Sequence, residues 1–432
     1  MKKREGWFLI GGVSITIAML GYALFVHSPY LGKRLIDTLK ARFWHTVTEK
    51  KAPILPLRGV VLDEQNTSLS LTQRIYKLWL ANDALDNRTF CNLLKRLEQA
   101  VPIRLGVKAA YNRHRSRHAN GYESFTVLSY GVTQKQIKEI ENILTEPPFK
   151  LKKSVFQFEL SGERIIYPYK DCLTPYLGLN RKALRGNYTY RKGVSGLQGY
   201  YDKRLSALSI KKRRQNLHLY VSIPWQKELE KELDIFKKEK HLREAMGVII
   251  DPKNFHIKAL ASSNRYNPNR LSRKNKKNTE IHAVLYLFEI GDWITPLKNH
   301  LPFGFYEKSG IDLLYERSFP NKNITDIKKF KVNFMQLLKA YTAIYSGGKI
   351  ASPHLADTSR LNAIKQVLAK EEADKIKSKL SNFFTSMQHQ KLLIEQKDKN
   401  LSAHILIQPI TREDKEYLKA YFLIKDETPS RL

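Results

Sequence analysis

Residues 247–261 read Gly-Val-Ile-Ile-Asp-Pro-Lys-Asn-Phe-His-Ile-Lys-Ala-Leu-Ala. Gly247 to Ile250 is apolar, Asp251-Pro252-Lys253-Asn254 is turn chemistry, and Phe255 to Ala261 returns as a second largely apolar run. The pattern predicts a buried β-hairpin, because residues that impose bent backbone sit between two runs able to line a core. A strand from Leu217 to Ile223 and a charged helix from Gln226 to Met246 are expected before it. In that helix Leu229, Leu233, Phe236 and Leu242 are spaced for one buried face. Downstream, residues 333–346 predict a helix stopped by Gly347-Gly348. A longer helix is expected from about 360 to 386, with Leu361, Ile364, Leu368, Ile376, Leu380 and Phe383 on one side. Residues 391–395, 403–408 and 417–424 read as strands.

Upstream, Arg58 to Asn66 alternates into a turn, and the apolar run around Ile75 to Leu80 completes a strand pair. Residues 88–100 and 133–144 carry apolar side chains at helical spacing, whereas 153–160 and 164–167 read as strands. Residues 52–215 are therefore expected to form one α+β module, joined through the basic stretch Lys211 to Arg214 to a second domain over 216–432. Residues 29–51 predict a helix ended by Pro53 and Pro56. Trp7 to Val26 holds no charge and is long enough to span a bilayer, so residues 1–28 read as a short head and an uncleaved anchor. Lys2, Lys3 and Arg4 lie on one flank; Lys33, Arg34, Lys40 and Arg42 make the other basic too, and charge alone leaves the orientation open.

The chain has 432 residues and a formal charge of +34, from 75 Lys and Arg against 41 Asp and Glu. Such a field attracts polyanions. Zinc spacing, a recognition-helix signature and an aromatic RNA-binding consensus are all missing, so specific nucleic-acid binding is not expected. Anionic lipid headgroups and acidic envelope polymers are the expected partners. Cys91 and Cys172 carry no framework signal and read as two free thiols. His114 and His118 lie among Arg113, Arg115 and Arg117, cations that oppose a metal. No phosphate loop appears, and no cofactor or metal is expected.

Four segments, in order, resemble the class B penicillin-binding proteins, monofunctional transpeptidases that crosslink peptidoglycan. Arg58-Gly59 through Asp63 and Asn66 is similar to the entry to the family's pedestal. Gly193-Val-Ser-Gly-Leu-Gln-Gly-Tyr-Tyr-Asp-Lys-Arg-Leu205, with Gly196, Tyr201 and Asp202, is close to the family's Gly-x-Ser-Gly-Leu-Glu-x-x-Tyr-Asp-x-x-Leu. Residues 247–261 with Tyr266-Asn-Pro-Asn269 resemble the opening strands of the transpeptidase domain. Phe303-Gly304, Lys308 to Leu313 with Glu316, and Gln336 to Pro353 look like the segment behind the active site. The resemblance implies an α+β fold: an N-terminal transmembrane helix, an α+β pedestal over 52–215, and a shortened, β-lactamase-like transpeptidase domain over 216–432. It also implies a single-pass inner-membrane protein with its body in the periplasm.

Catalysis in the family needs a Ser-x-x-Lys pair, a Ser-x-Asn and a Lys-Thr-Gly strand. Within Phe288-Glu-Ile-Gly-Asp-Trp-Ile-Thr-Pro-Leu297, Asp292 and Thr295 stand at the serine and lysine positions. Pro296 is separated from Phe303-Gly304 by only a few residues, so the helical region carrying Ser-x-Asn is expected to be deleted. Lys391-Leu392-Leu393 is the segment expected at the Lys-Thr-Gly strand, with Leu393 crowding the groove. Ser209/Lys212, Ser346/Lys349, Ser262-x-Asn264 and Lys308-Ser309-Gly310 satisfy the short patterns in the wrong segments. The resemblance thus implies a degenerate, catalytically silent member that binds. Arg58, Gly59, Asp63, Gly193, Gly196, Tyr201 and Asp202 are its expected partner surface, and a polytopic glycosyltransferase, other divisome or elongasome membrane proteins, or peptidoglycan its expected partners. An active transpeptidase with rearranged motifs, and a structural envelope protein of a larger membrane assembly, are the alternatives.

Overall fold

The computed structural model describes residues 57–81, 85–100, 112, 125–147, 149–151, 156–185, 188–206, 215–270, 282–291, 303–319, 321, 324–357, 363–383, 388–393 and 401–426. The expected anchor, the helix over 29–51, Asp292, Thr295, the His114/His118 pair and the Ser209/Lys212 pair lie outside them. Among the described residues, no helix is long and apolar enough to cross a membrane. Residues 56–432 form one compact unit.

The first sheet holds β1 (Val61–Leu62), β2 (Ser68–Ala81), β3 (Phe125–Thr133), β4 (Phe156–Ile166), β5 (Asn180–Arg185), β6 (Tyr188–Gly193) and β7 (Leu217–His218). Their order is β5-β6-β4-β2-β1-β7, with β3 also on β2. Helices α1 (Asn87–Ala100) and α2 (Gln134–Thr145) cover one face. Phe90, Leu93, Leu94 and Leu97 of α1 and Ile137, Ile140 and Ile143 of α2 bury against Leu78, Leu80, Leu128 and Val132. Their three- and four-residue spacing is what made both helices legible. A capping box starts α2: the Thr133 hydroxyl accepts from the Gln136 backbone, and the Gln136 side chain accepts from the Thr133 N–H.

The second sheet holds β8 (Glu244–Ile250), β9 (Ile257–Ser262), β10 (Leu287–Glu289), β11 (Lys331–Val332), β14 (Gln388–Leu393), β15 (Leu401–Arg412) and β16 (Lys415–Asp426), in the order β11-β10-β14-β15-β16-β8-β9. A small pair, β12 (Lys349–Ile350) with β13 (Lys365–Gln366), stands apart. Every residue of β8 is buried, because both faces are covered. Helix α5 (Ile223–Glu239) puts Leu229 and Leu233 against Ile249, Ala259 and Leu423. On the other face α7 (Phe334–Tyr345) and α8 (Lys370–Phe383) enclose Val248, Ile250, Ile405 and Phe422. Short helices α3 (Gly196–Tyr200), α4 (Asp202–Leu205) and α6 (His282–Leu285) complete the set named here.

Four expectations differ from the structure. The strands read over 153–160 and 164–167 are one strand, β4, which passes through Gly162 with a bulge opposite Ile75. The segment 217–223 yields only β7, which pairs in parallel with β1 of the first sheet. Ser222 then stands at the N-cap position of α5 without a side-chain bond, with Pro224 in the first turn, where a missing N–H is no loss. Helix α5 ends at Glu239, so Glu244 to Met246 belong to β8. The helix expected from about 360 starts at Lys370, because Lys365 and Gln366 pair with Ile350 and Lys349. The interior is shared: Val61, Ile165, Leu197 and Leu205 belong to the same core cluster as Phe255, Phe334 and Ile405.

Candidate functional site

Strand β10 leads the chain to the expected nucleophile position. Phe288 is fully buried and packs 5.6 Å from Phe422, which stacks on Phe334 of α7 at 5.3 Å. The Ile290 N–H donates to the Phe330 carbonyl at 2.8 Å, and Gly291 then turns with φ of +53°. Asp292 follows at once. β14 runs beside β10, with Leu393 and Leu392 facing Leu287 and Phe288. Lys391-Leu392-Leu393 ends β14 in the second sheet, and β10 occupies its edge at residues 392 and 393. The part of β14 that β10 leaves unpaired is Gln388 to Lys391, held on its other side by β15. Gly291, the last described residue before position 292, thus follows a strand that pairs with β14.

The look-alike motifs within the described residues do other work. Ser309 is fully buried; its N–H donates to Glu316 Oε1 at 2.6 Å, and its hydroxyl accepts from the Ile311 N–H. Glu316 also accepts from the Gly310 N–H and from Asn333 Nδ2, so Lys308-Ser309-Gly310 is a turn clamped from inside. Lys339 of α7 reaches the Ser309 carbonyl at 3.1 Å, not its hydroxyl. Burial pulls the Lys339 ammonium below its ordinary value, against the pull of Glu316 and Glu307. The Ser346 hydroxyl donates to the Ala343 carbonyl and finishes α7. Ser262 donates to Glu244 at 3.1 Å and accepts from the Asn264 N–H, a strand-end turn. Each serine is committed to backbone geometry.

Of the seven residues expected to form a partner surface, five are buried, and Tyr201 and Asp202 are half-buried. Arg58, Gly59, Asp63, Gly193 and Gly196 are the buried ones. Arg58 Nη1 meets Asp202 Oδ1 at 2.6 Å, its Nε donates to Gln198 Oε1 at 2.9 Å, and Nη2 donates to the Gln198 carbonyl at 2.8 Å. Asp202 Oδ1 also accepts from the Gly193 N–H at 2.7 Å. A Cβ on Gly193 would lie 1.8 Å from the Gln198 carbonyl oxygen, and one on Gly196, whose φ is +55°, 2.3 Å from that of Tyr176. Only glycine fits either place. The Gly59 N–H donates to the Leu205 carbonyl, while Asp63 accepts from the N–H groups of Gln65 and Thr67.

Tyr201 carries this clasp on to Asp312 in the segment 303–319. Its hydroxyl donates to Asp312 Oδ2 at 2.8 Å, and Asp312 accepts in addition from the N–H groups of Leu355 and Ala356. Burial raises the Asp312 carboxyl above the usual range, although these three donors oppose the shift. Glu163, which accepts from the Arg191 N–H at 2.7 Å, is likewise raised by burial. Gln198, Asp312, Glu163 and Ser70, whose hydroxyl accepts from Gln198 Nε2 at 2.8 Å, lie outside the residues the sequence singled out. Gln198 and Asp312 lie inside the matched segments, and their spacing from Asp202 and Leu313 was the available signal.

No protein-family model matches the chain. Among solved structures, penicillin-binding protein 2X from Streptococcus thermophilus superposes with a TM-score of 0.62 at 14% identity, covering 87% of this chain and 77% of its own. The fold is that of the class B penicillin-binding proteins. A peptidoglycan synthetase from Bifidobacterium adolescentis shares it, with a TM-score of 0.56 at 13% identity over 87% of this chain and 92% of that one. The peptidoglycan D,D-transpeptidase MrdA of Escherichia coli K12 is 24% identical over 287 residues, 60% of this chain. The chain spans 42% of that relative's length. Within this fold β8, β9 and β14 to β16 lie side by side in the second sheet, with β10 on the outer side of β14.

Proposed function

We propose that this protein uses a penicillin-binding-protein fold to bind without acyl transfer, as a membrane-anchored component of peptidoglycan synthesis or cell division. The single observation that carries the reading is Asp292, three residues past β10 in the sequence, at the position where the resemblance expects the nucleophilic serine. A hydroxyl attacks a carbonyl when a neighbouring amine takes its proton. An ionised carboxylate is a weak attacker whose acyl product is an anhydride, and Thr295 has no amine to offer. The commitment of Ser262, Ser309 and Ser346 to turns and helix ends supports the same reading.

The MrdA and peptidoglycan-synthetase relatives support a cell-wall setting. In this reading residues 1–28 anchor the chain in the inner membrane, 29–51 continue as a helix, and a pedestal over 52–215 and a degenerate transpeptidase-like domain over 216–432 lie in the periplasm. A polytopic glycosyltransferase or another divisome or elongasome protein is the partner, contacted through the exterior and not through the buried clasp. Fluorescent penicillin tests the chemistry: the purified chain is expected to show no label that survives boiling in detergent. A boiling-resistant adduct refutes the proposal.

A further inference from the structure

The hairpin of β5 and β6 carries Arg181, Lys182, Arg185, Arg191 and Lys192, and no acidic residue falls between 180 and 193. β5 is the outermost strand of the first sheet. The register sets Arg181 opposite Lys192 and Lys182 opposite Arg191. Like charges directly opposite one another destabilise a strand pair, and here two such pairs are consecutive. Arg191 has company, since its Nε donates to the Glu163 carbonyl at 3.1 Å. Arg181, Lys182 and Lys192 are exposed, and none pairs with a carboxylate among the described residues.

Leu184 follows Lys182 on the same face of β5, next to the turn, and is 73% exposed. Charge on an outer strand is a common guard against unwanted sheet pairing. A bare leucine among the charges works against that purpose. Exposed cations that meet no carboxylate and an exposed leucine beside them together describe something that meets anions and hydrocarbon at one boundary. A soluble polyanion would satisfy the cations and leave Leu184 in water.

We propose that the β5–β6 hairpin docks edge-on against a bilayer of anionic phospholipids. Headgroup phosphates sit between the paired cations on both faces, and Leu184 enters the upper edge of the acyl region. The inference goes beyond the proposed function and does not depend on the absence of acyl transfer.

Residues 56–432 are a compact unit with core clusters drawn from within it, so that body is the material for the test. It is expected to float with phosphatidylglycerol-containing vesicles and not with pure phosphatidylcholine vesicles, and to be released by salt. Lys182→Glu with Lys192→Glu should weaken binding about tenfold or more. Lys231→Glu with Lys238→Glu changes the net charge equally on exposed positions of α5 and should leave binding within a few fold. Leu184→Asp should weaken binding of the unaltered cations. If a hairpin variant melts below the parent, Arg181→Gln with Lys192→Gln replaces it. Equal losses in the hairpin and α5 variants, no flotation by the parent body, or capture of an acidic protein or nucleic acid in preference to the vesicles would each overturn the proposal.

Discussion

Arg58 and Asp202 lie 144 positions apart and meet at 2.6 Å, with the guanidinium side chain 1% exposed. The pair fastens the entry of the first sheet to the turn between α3 and α4, and Tyr201 beside it continues to Asp312. Removing one partner of a buried pair strands the other charge away from water. Arg58→Ala is therefore expected to destabilise residues 56–432 by about 3–5 kcal/mol, read from urea unfolding. Lys at the same position should recover little, because one ammonium cannot reproduce the fork that holds Gln198 twice.

Gly193→Ala makes a sharper test of the same clasp. A methyl there collides with the Gln198 carbonyl, which is itself bonded to Arg58. The expected loss is about 3 kcal/mol. The neighbouring Lys192→Ala, on an exposed side chain, should change unfolding by less than about 0.5 kcal/mol.

His256 predicts an acid weakness. Its ring stacks on Tyr220 at 3.5 Å and lies 4.8 Å from the His354 ring, with Asp251, Lys258 and Asp357 also acting on it. Burial, with repulsion from His354 next, pushes its pKa down to about 4. In the unfolded chain a histidine takes its proton near 6.5. The fold holds the ring neutral, so its contribution is complete above about pH 6.5 and is lost as pH falls toward about 4. Allowing for the half-exposed position, the loss is on the order of 1 kcal/mol. Comparing the unfolding of the parent with His256→Gln at pH 7 and pH 4.5 isolates it, since the raised carboxyls of Asp312 and Glu163 are common to both. Parallel curves would remove the prediction.

Restoring two residues should not restore chemistry. Asp292→Ser with Thr295→Lys supplies the first motif, but Ser262-x-Asn264 and Lys308-Ser309-Gly310 remain tied into turns by Glu244 and Glu316. The double variant is expected to stay unlabelled by fluorescent penicillin. A labelled band would mean that a substrate groove persists beside Gln388 to Lys391.

The elements that the sequence predicts well are those whose side chains answer to one partner layer. Ile137, Ile140 and Leu144 repeat with the helix and so revealed α2, and the turn Asp251 to Asn254 revealed the β8–β9 hairpin. Residues 217–223 look like one strand because Leu217, Leu219 and Val221 alternate, whereas Pro224 favours the start of a helix. Charge misled at Arg58: a basic residue beside a turn reads as exposed, and the partners that let it enter the interior lie more than 130 positions away. The matched segments located the candidate site, but only the pairing of β10 with β14 revealed that residues 392 and 393 are covered.

The interior that runs without a break from Val61 through Leu205 to Phe334 and Ile405 makes the two sheets inseparable. Cutting the chain at the basic stretch 211–214 would leave each piece with a greasy flank and no cover for it. A protein of this build must therefore carry both sheets whatever either one does, because neither half has another keel.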